Sequence, residues 1–297
     1  DKSIESTKKA IKNGKNIIYE ATAISKDGLY ARIDILKKVK GKDEWDLIEV
    51  KATSKPFTNQ AQSIIQEDYL DDLSAQLYAF ESSGYKIRKT ILMFLDNEYV
   101  RKSKLDIKSL FKQIDITADV REYGESTKEN LNDLLKVLKK TKAPSIEIDR
   151  GCLSCEYQYH CWPDLPDYSV FKLLSRSKKK LETARELGIL DINDLPEDFE
   201  TTPPQAKDVK AHKSKKVYRD NTALKKWADT IKYPIYYLDY ETTSFAIPEF
   251  NKTSSYTRLP FQFSLHIQKE KNGPLEHIEF LHTKSSDPRE EFTKALI

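Results

Sequence analysis

Trp45-Asp46-Leu47-Ile48-Glu49-Val50-Lys51 is the stretch on which the fold turns. Side chains of a strand alternate between faces, so the strand expected over Trp45–Thr53 sets Glu49 and Lys51 on one face and Val50 on the other. Upstream, Gly28–Val39 also alternates, with Ala31, Ile33 and Ile35 on one face and Arg32, Asp34 and Leu36 on the other. Gly41 marks the turn between the two strands, and a hairpin there brings Asp34 beside Glu49. Carboxylates that close repel and raise each other's pKa, and a divalent cation relieves the repulsion. Oxygen-only ligands suit Mg²⁺ or Mn²⁺. Lys51 then lies near a metal-bound water, where it can orient that water and stabilise charge developing on a phosphate. The competing reading is an exposed strand face with a cross-strand salt bridge. The apolar setting of residues 46–51 weighs against it, because unpaired charge in such a strand is costly.

Around this stretch the pattern reads as a mixed sheet flanked by helices. Ile17–Ile24 is a short apolar-rich strand that carries Glu20, a further candidate metal contact or a plain surface acid. Residues 63–82 fit a helix with Tyr69, Leu73, Leu77 and Phe80 on one stripe and Asp72 and Gln76 at i and i+4 on one face. Ile87–Leu95 is apolar enough to lie centrally in a sheet. Residues 1–15 read as a polar helix and 126–141 as another, while 105–122 are ambiguous. The expected class is α/β, without a clean doubly wound pattern.

Composition narrows the function. The 297 residues carry 50 Lys and Arg against 47 Asp and Glu, a net charge of +3, so any nucleic-acid-binding surface has to be local. With 38% hydrophobic residues a packed core is expected. No two of the eight glycines lie within ten residues of each other, which excludes a P-loop and a GxGxxG fingerprint. The first histidine is His160, so chemistry in the first half runs without one. The longest purely apolar run, Ile91 to Leu95, is far short of a membrane span, and no secretion signal is visible. A cytoplasmic protein is expected. The chain begins at Asp1 and stops at Ile297 inside a helical pattern, as expected of a piece of a longer protein.

After Pro144 the character changes. Cys152, Cys155 and Cys161 are all the cysteines of the chain, and an odd count so tightly grouped points to metal over disulfides. Inert thiols are the plain alternative. Zinc with His160 as fourth ligand is open, although adjacent His160 and Cys161 suit one tetrahedral ion poorly. An iron–sulfur cluster needs four thiolates. A helix pair is expected around 168–188 and 190–200, then a polar linker over 201–216. Residues 207–226 hold eight Lys or Arg against two Asp; Lys213, Lys215 and Lys216 could track a DNA backbone, or the stretch is a solvated linker.

Ala-Arg-Ile-Asp34, Ile-Glu49-Val-Lys51 and Gln76-Leu-Tyr-Ala-Phe80 together resemble the core of RecB-like nucleases of the PD-(D/E)XK superfamily, over roughly residues 15–100. The resemblance implies a restriction-endonuclease-like fold in which Asp34 and Glu49 bind metal, Lys51 assists catalysis and the helix bearing Gln76 lies along DNA. Two departures stand out. Phe80 occupies the place of the tyrosine in the QxxxY pattern, with Tyr78 nearby, and the histidine found upstream in many members is absent. The cysteine spacing resembles that of RecB-like nucleases with iron–sulfur clusters, AddB and the CRISPR-adaptation exonucleases. They place three cysteines after the core and one before it. That implies a structural [4Fe–4S] cluster, with Zn²⁺ as the alternative and a fourth cysteine before Asp1.

Ile235-Tyr-Tyr-Leu-Asp239-Tyr-Glu241-Thr-Thr resembles the first motif of DnaQ-like exonucleases of the RNase H fold, in which alternate acidic residues on a strand face a metal. Their other acidic motifs would fall beyond Ile297, so a partial domain is expected. The order of core, cysteines and this motif resembles a bacterial family, itself uncharacterised, that joins the two nuclease folds. Leu187-Gly-Ile-Leu-Asp-Ile-Asn-Asp-Leu195 resembles a helix-hairpin-helix turn, which offers N–H groups to phosphate; ordinary helix packing is the alternative. The expected layout is a nuclease core over 1–150, a cysteine cluster over 151–165, a helical and basic region over 166–230, and the start of a second nuclease domain over 231–297. The expected function is metal-dependent hydrolysis of single- or double-stranded DNA, in repair, recombination or defence against foreign DNA. The alternative is a binding module on a nuclease fold that grips DNA or a partner without cutting.

Overall fold

The computed structural model describes residues 2–59, 61, 63–149 and 151–297. Asp1, where the first helix was expected to begin, and Arg150, next to an expected domain boundary, lie outside them. The class is α/β. The chain forms two compact units, one running to Leu138 and joined by Tyr233–Ile297, the other spanning Lys139–Lys232. Tyr233–Ile297 thus groups with the first sheet.

In the first unit α1 (Lys2–Lys12) precedes β1 (Ile17–Ile24), β2 (Tyr30–Lys38) and β3 (Trp45–Lys51). Then come α2 (Glu67–Ser82), β4 (Ile87–Leu95), α3 (Ile107–Leu110), β5 (Phe111–Asp115) and α4 (Thr117–Leu138). The sheet order is β1-β2-β3-β4-β5; β3 and β4 run parallel and the other neighbours antiparallel. The stretch read as ambiguous resolves into α3, β5 and the start of α4. Its apolar positions switch spacing too often for one period to show.

The core explains the alternation. Ile33, Leu36, Leu47, Leu73, Phe80 and Leu92 are fully buried between the sheet and α2. Phe80 packs on Tyr85 with ring centroids 5.6 Å apart, so this residue serves the core. Along β2 burial changes register at Asp34 and Ile35, which are both half-buried, so the expected face assignment holds only up to Ile33. Asp46 is buried and held by Arg88 through two bonds, Nε to Oδ1 at 2.9 Å and Nη2 to Oδ2 at 2.6 Å. A bidentate fork of this kind satisfies a buried carboxylate fully.

The same unit contains β6 (Ile235–Thr243), β7 (Leu259–Gln268), β8 (Leu275–Leu281) and α10 (Arg289–Leu296). They form an antiparallel three-stranded sheet on which Phe292 of α10 packs against Phe263 and Phe280. The loop between β6 and β7 is clamped to the first sheet's connections. Arg101 Nη1 donates to the carbonyls of Pro248 and Glu249 at 2.8 and 2.7 Å, and the Tyr256 hydroxyl donates to the Ala52 carbonyl at 2.7 Å. These bonds are illegible in sequence because their acceptors are backbone carbonyls.

The second unit is helical: α5 (Gln158–Cys161), α6 (Val170–Leu174), α7 (Lys178–Glu186), α8 (Pro203–Ser214) and α9 (Asn221–Ala228). The expected helix over 168–188 is split at Ser175–Ser177, and 190–200 contains only a 3₁₀ turn at Ile192–Asp194. The expected linker is corrected too. Thr202 and Gln205 form a reciprocal capping box and Pro203 opens α8, so residues 203–214 are helical. At the expected phosphate-binding turn, the amides of Gly188 and Ile189 donate to Arg185 and Ala184 at 2.9 and 3.0 Å. They cap α7 and are not free for phosphate; the packing reading holds there. No helix among the described residues is long and apolar enough to cross a membrane.

Candidate active site

The β2–β3 ladder supplies the geometry. Its last pair toward the site is Ile35 opposite Ile48, and beyond it the strands part. Asp34 and Glu49 are the next residues on either side of this fork. The Asp34 carboxylate takes the place of a ladder partner, its Oδ2 accepting from the Val50 N–H at 2.7 Å. On its other side β3 stays paired with β4 as far as Lys51 opposite Phe94. Glu49 and Lys51 are therefore held rigidly while Asp34 reaches across the gap.

Helix α2 covers the fork. Lys51 Nζ donates to Glu49 Oε1 at 2.7 Å and to Asp72 Oδ2 at 2.5 Å. The same ammonium lies 5.7 Å from the centre of the Tyr69 ring. Gln76, one turn after Asp72, donates through Nε2 to Glu49 Oε2 at 3.2 Å and to Asp72 Oδ1 at 2.9 Å. Its Oε1 is buried without a hydrogen-bond partner among the described residues. Asp34, Glu49, Asp72 and Lys51 together leave more negative than positive charge. Glu49, 7% exposed, is pushed above the ordinary carboxylate range by burial first. Lys51 pulls it back, and the charges of Asp34 and Asp72 push it up again. Burial alone would lower Lys51, but the hydrogen bonds to Asp72 and Glu49 more than reverse this and raise it.

The remaining expected site residues lie elsewhere. Glu20 turns to Arg32 at 2.9 Å, both half-exposed, and is thereby diverted from the carboxylates. Gln76 is 5% exposed and faces the carboxylates, so it cannot offer its side chain to a DNA surface. Tyr78 donates to Asp27 Oδ2 at 2.5 Å on the outer side of α2. Lys213, exposed, donates to the Leu195 carbonyl at 2.6 Å, which fastens α8 to the turn below it. Lys215 and Lys216, after the end of α8, are exposed. Asp72 is the site residue that sequence reasoning placed correctly on the Gln76 face but left without a role. The signal was its i, i+4 spacing.

Asp239 and Glu241 share one face of β6, opposite Ser264 and Gln262 of β7, and both are exposed. In the second unit Cys152 is half-buried against a small apolar core, and Cys155 and Cys161 are exposed. Among the described residues no group of three or more His, Cys, Asp or Glu side chains converges as a metal site would. The three thiols are also one donor short of the four thiolates of a [4Fe–4S] cluster.

Residues 236–297, from β6 to α10, match a family model described as a domain of unknown function, DUF2779. No curated protein matches the chain.

Proposed function

We propose that the chain is a metal-dependent nuclease that hydrolyses DNA phosphodiesters at the fork between β2 and β3. The observation that carries this reading is that the Asp34 carboxylate bonds the Val50 amide next to Glu49, while Glu49 is buried, bonded to Lys51 and raised above the ordinary carboxylate range by burial. Excess negative charge, oxygen donors only and an unpartnered buried acceptor on Gln76 fit a hard divalent cation such as Mg²⁺ or Mn²⁺. Asp34 and Glu49 would hold it. When bound, such an ion supplies an acidified water and charge compensation for the phosphate.

The chain's own residues do the rest. Gln76 fixes the Glu49 and Asp72 carboxylates against each other, so the ligand oxygens do not have to be ordered when substrate arrives. Lys51, kept protonated by its two carboxylate partners, provides a positive charge for the phosphate as negative charge builds on it. The family reading, the cytoplasmic setting and a structural [4Fe–4S] or zinc site at Cys152, Cys155 and Cys161 belong to the same proposal; the cysteines take no part in the reaction.

A second reading has one observation in its favour. Lys51 is already satisfied at 2.7 and 2.5 Å, as in a purely structural ion-pair network inside a DNA- or protein-binding module. Cleavage of single- and double-stranded DNA with Mg²⁺ or Mn²⁺ decides between them. Lys51→Ala is expected to slow cleavage by about 10²- to 10³-fold, the range for losing one preorganised charge donor. Equal activity in the variant, or none in the wild type, rejects the nuclease.

A further inference from the structure

The ends of β3 and β4 continue past the site. Lys51 lies opposite Phe94, and the Leu95 amide donates to the Thr53 carbonyl at 2.9 Å, which keeps the two chains together for another step. Beyond this point a cavity of about 300 Å³ opens, lined by Ser54, Lys55, Phe57, Phe94, Asn97 and Lys112. It belongs to the same unit as the carboxylate site and shares its strand ends. Its size is at the lower end of the roughly 300–1,000 Å³ typical of ligand pockets.

The lining divides into two kinds of group. Phe57 and Phe94 meet edge to face, with centroids 6.0 Å apart and planes at 89°. Phe94 is buried, whereas Phe57 is half-buried and keeps part of its ring open. Around this pair, the Ser54 hydroxyl, the Lys55 ammonium and the Asn97 side-chain amide make no hydrogen bond or ion pair among the described residues. Lys112 differs, because Asp96 and Glu98 hold it at 2.9 Å each and largely cancel its charge. A bare phosphate would be served by one free cation only and would leave the aromatic pair unused. A planar ring with polar edges uses every free group: it stacks on Phe57, bonds to Asn97 and Ser54, and leaves Lys55 for the adjoining phosphate. Bases inside a duplex are not available for this, because they have to leave the stack first.

We propose that this cavity holds one unstacked base of single-stranded DNA beside the Asp34–Glu49–Lys51 site, a proposal that rests on the nuclease reading above. The test is binding by the full chain, without divalent metal, to a fluorescent oligothymidylate and to an abasic strand of equal length, followed by anisotropy. Phe57→Leu keeps the apolar bulk and is expected to weaken oligothymidylate binding about tenfold, within the range for one lost base–aromatic stack. The abasic strand is expected to bind both proteins equally. Asn97→Ala, on an exposed turn where folding is not at stake, is expected to weaken oligothymidylate binding in the same direction. Unchanged oligothymidylate binding in both variants, or an equal loss on the abasic strand, overturns the base site. Cleavage of the same strands with Mg²⁺ is scored separately. A wild type that binds through Phe57 but cuts nothing rejects the nuclease reading and leaves the base site. A wild type that cuts while binding ignores Phe57 rejects the base site alone.

Discussion

Asp34 and Glu49 lie on neighbouring strands, the Asp34 carboxylate accepting from the Val50 amide next to Glu49, whereas Asp239 and Glu241 sit two apart on one face of β6. Helix α2 closes over the first pair and brings Asp72, Gln76 and Lys51 into one hydrogen-bonded group. Among the described residues nothing comparable covers the second pair, which is exposed on its strand. Alternation along a strand is a local property, and it sets Glu49 with Lys51 on one face of β3 just as it sets Asp239 with Glu241 on one face of β6. Reactivity depends on what is packed above the carboxylates, because burial is what makes their mutual repulsion large enough for a cation to relieve.

The sharpest way to break this comparison is to remove one acid from each pair. Glu49→Ala is expected to abolish cleavage by the chain, a loss of at least about 10²-fold by analogy with removal of a single electrostatic stabiliser. Asp239→Ala is expected to leave the rate within about twofold, as for a surface substitution away from the chemistry. Initial rates on one labelled DNA in Mg²⁺ measure both. Equal loss in the two variants would mean that β6 carries the active carboxylates and that the buried cluster is structural.

A second effect, smaller, tests whether the cover on the first pair is functional. Gln76 touches both Glu49 and Asp72 but, on this reading, no substrate. Gln76→Leu is expected to weaken Mn²⁺ binding about 10- to 100-fold, the usual cost of losing an outer hydrogen bond to a metal ligand. The rate at saturating Mn²⁺ should recover most of the wild-type value. Isothermal titration with Mn²⁺ and rates across Mn²⁺ concentrations separate the two. An unchanged affinity with a collapsed rate would instead make Gln76 a group that touches the substrate.

Much of the first pair's surroundings was legible in sequence. The boundaries of β1 and β4 agree with the pattern, and β2 and β3 differ by one or two residues, because charges interrupt their apolar runs at strand spacing. Asp34, Glu49 and Lys51 follow from that spacing. The partnership of Lys51 with Asp72 does not, since it depends on where α2 comes to rest over the sheet. Helix α8 was missed for another reason. Its lysine-rich surface resembles a linker, although Thr202, Pro203 and Gln205 carried the start signal. The clamp from Arg101 and Tyr256 to backbone carbonyls leaves no side-chain pattern at all. The α/β class is therefore recoverable from one-dimensional periodicity, and the assembly of its parts is not.

The smallest expected effect concerns stability, where the first pair should respond and the second should not. The folded protein holds the Glu49 proton to higher pH than the unfolded chain does, with burial the main cause. The resulting stabilisation is full below the unfolded glutamate pKa, near 4.5, and is lost as pH rises through the higher folded value. Ionising Glu49 is thus less favourable in the folded protein than in the unfolded chain. Glu49→Gln keeps the shape and removes the charge, and Lys51 retains Asp72 as a partner. In metal-free buffer at neutral pH this variant is expected to melt a few degrees above the wild type, and the gain should shrink as pH falls toward the unfolded value. Glu241→Gln, on the exposed strand, is expected to stay within about 0.5 kcal/mol of the wild type at either pH. Added Mg²⁺ should reverse the order at the first pair, because a ligand that binds only the folded form stabilises it and the Gln variant has lost a ligand oxygen's charge. A Glu49→Gln protein that melts lower than the wild type in metal-free buffer would show that Lys51 already compensates Glu49 fully. The buried pair would then be a structural ion pair with no charge left for a cation to neutralise.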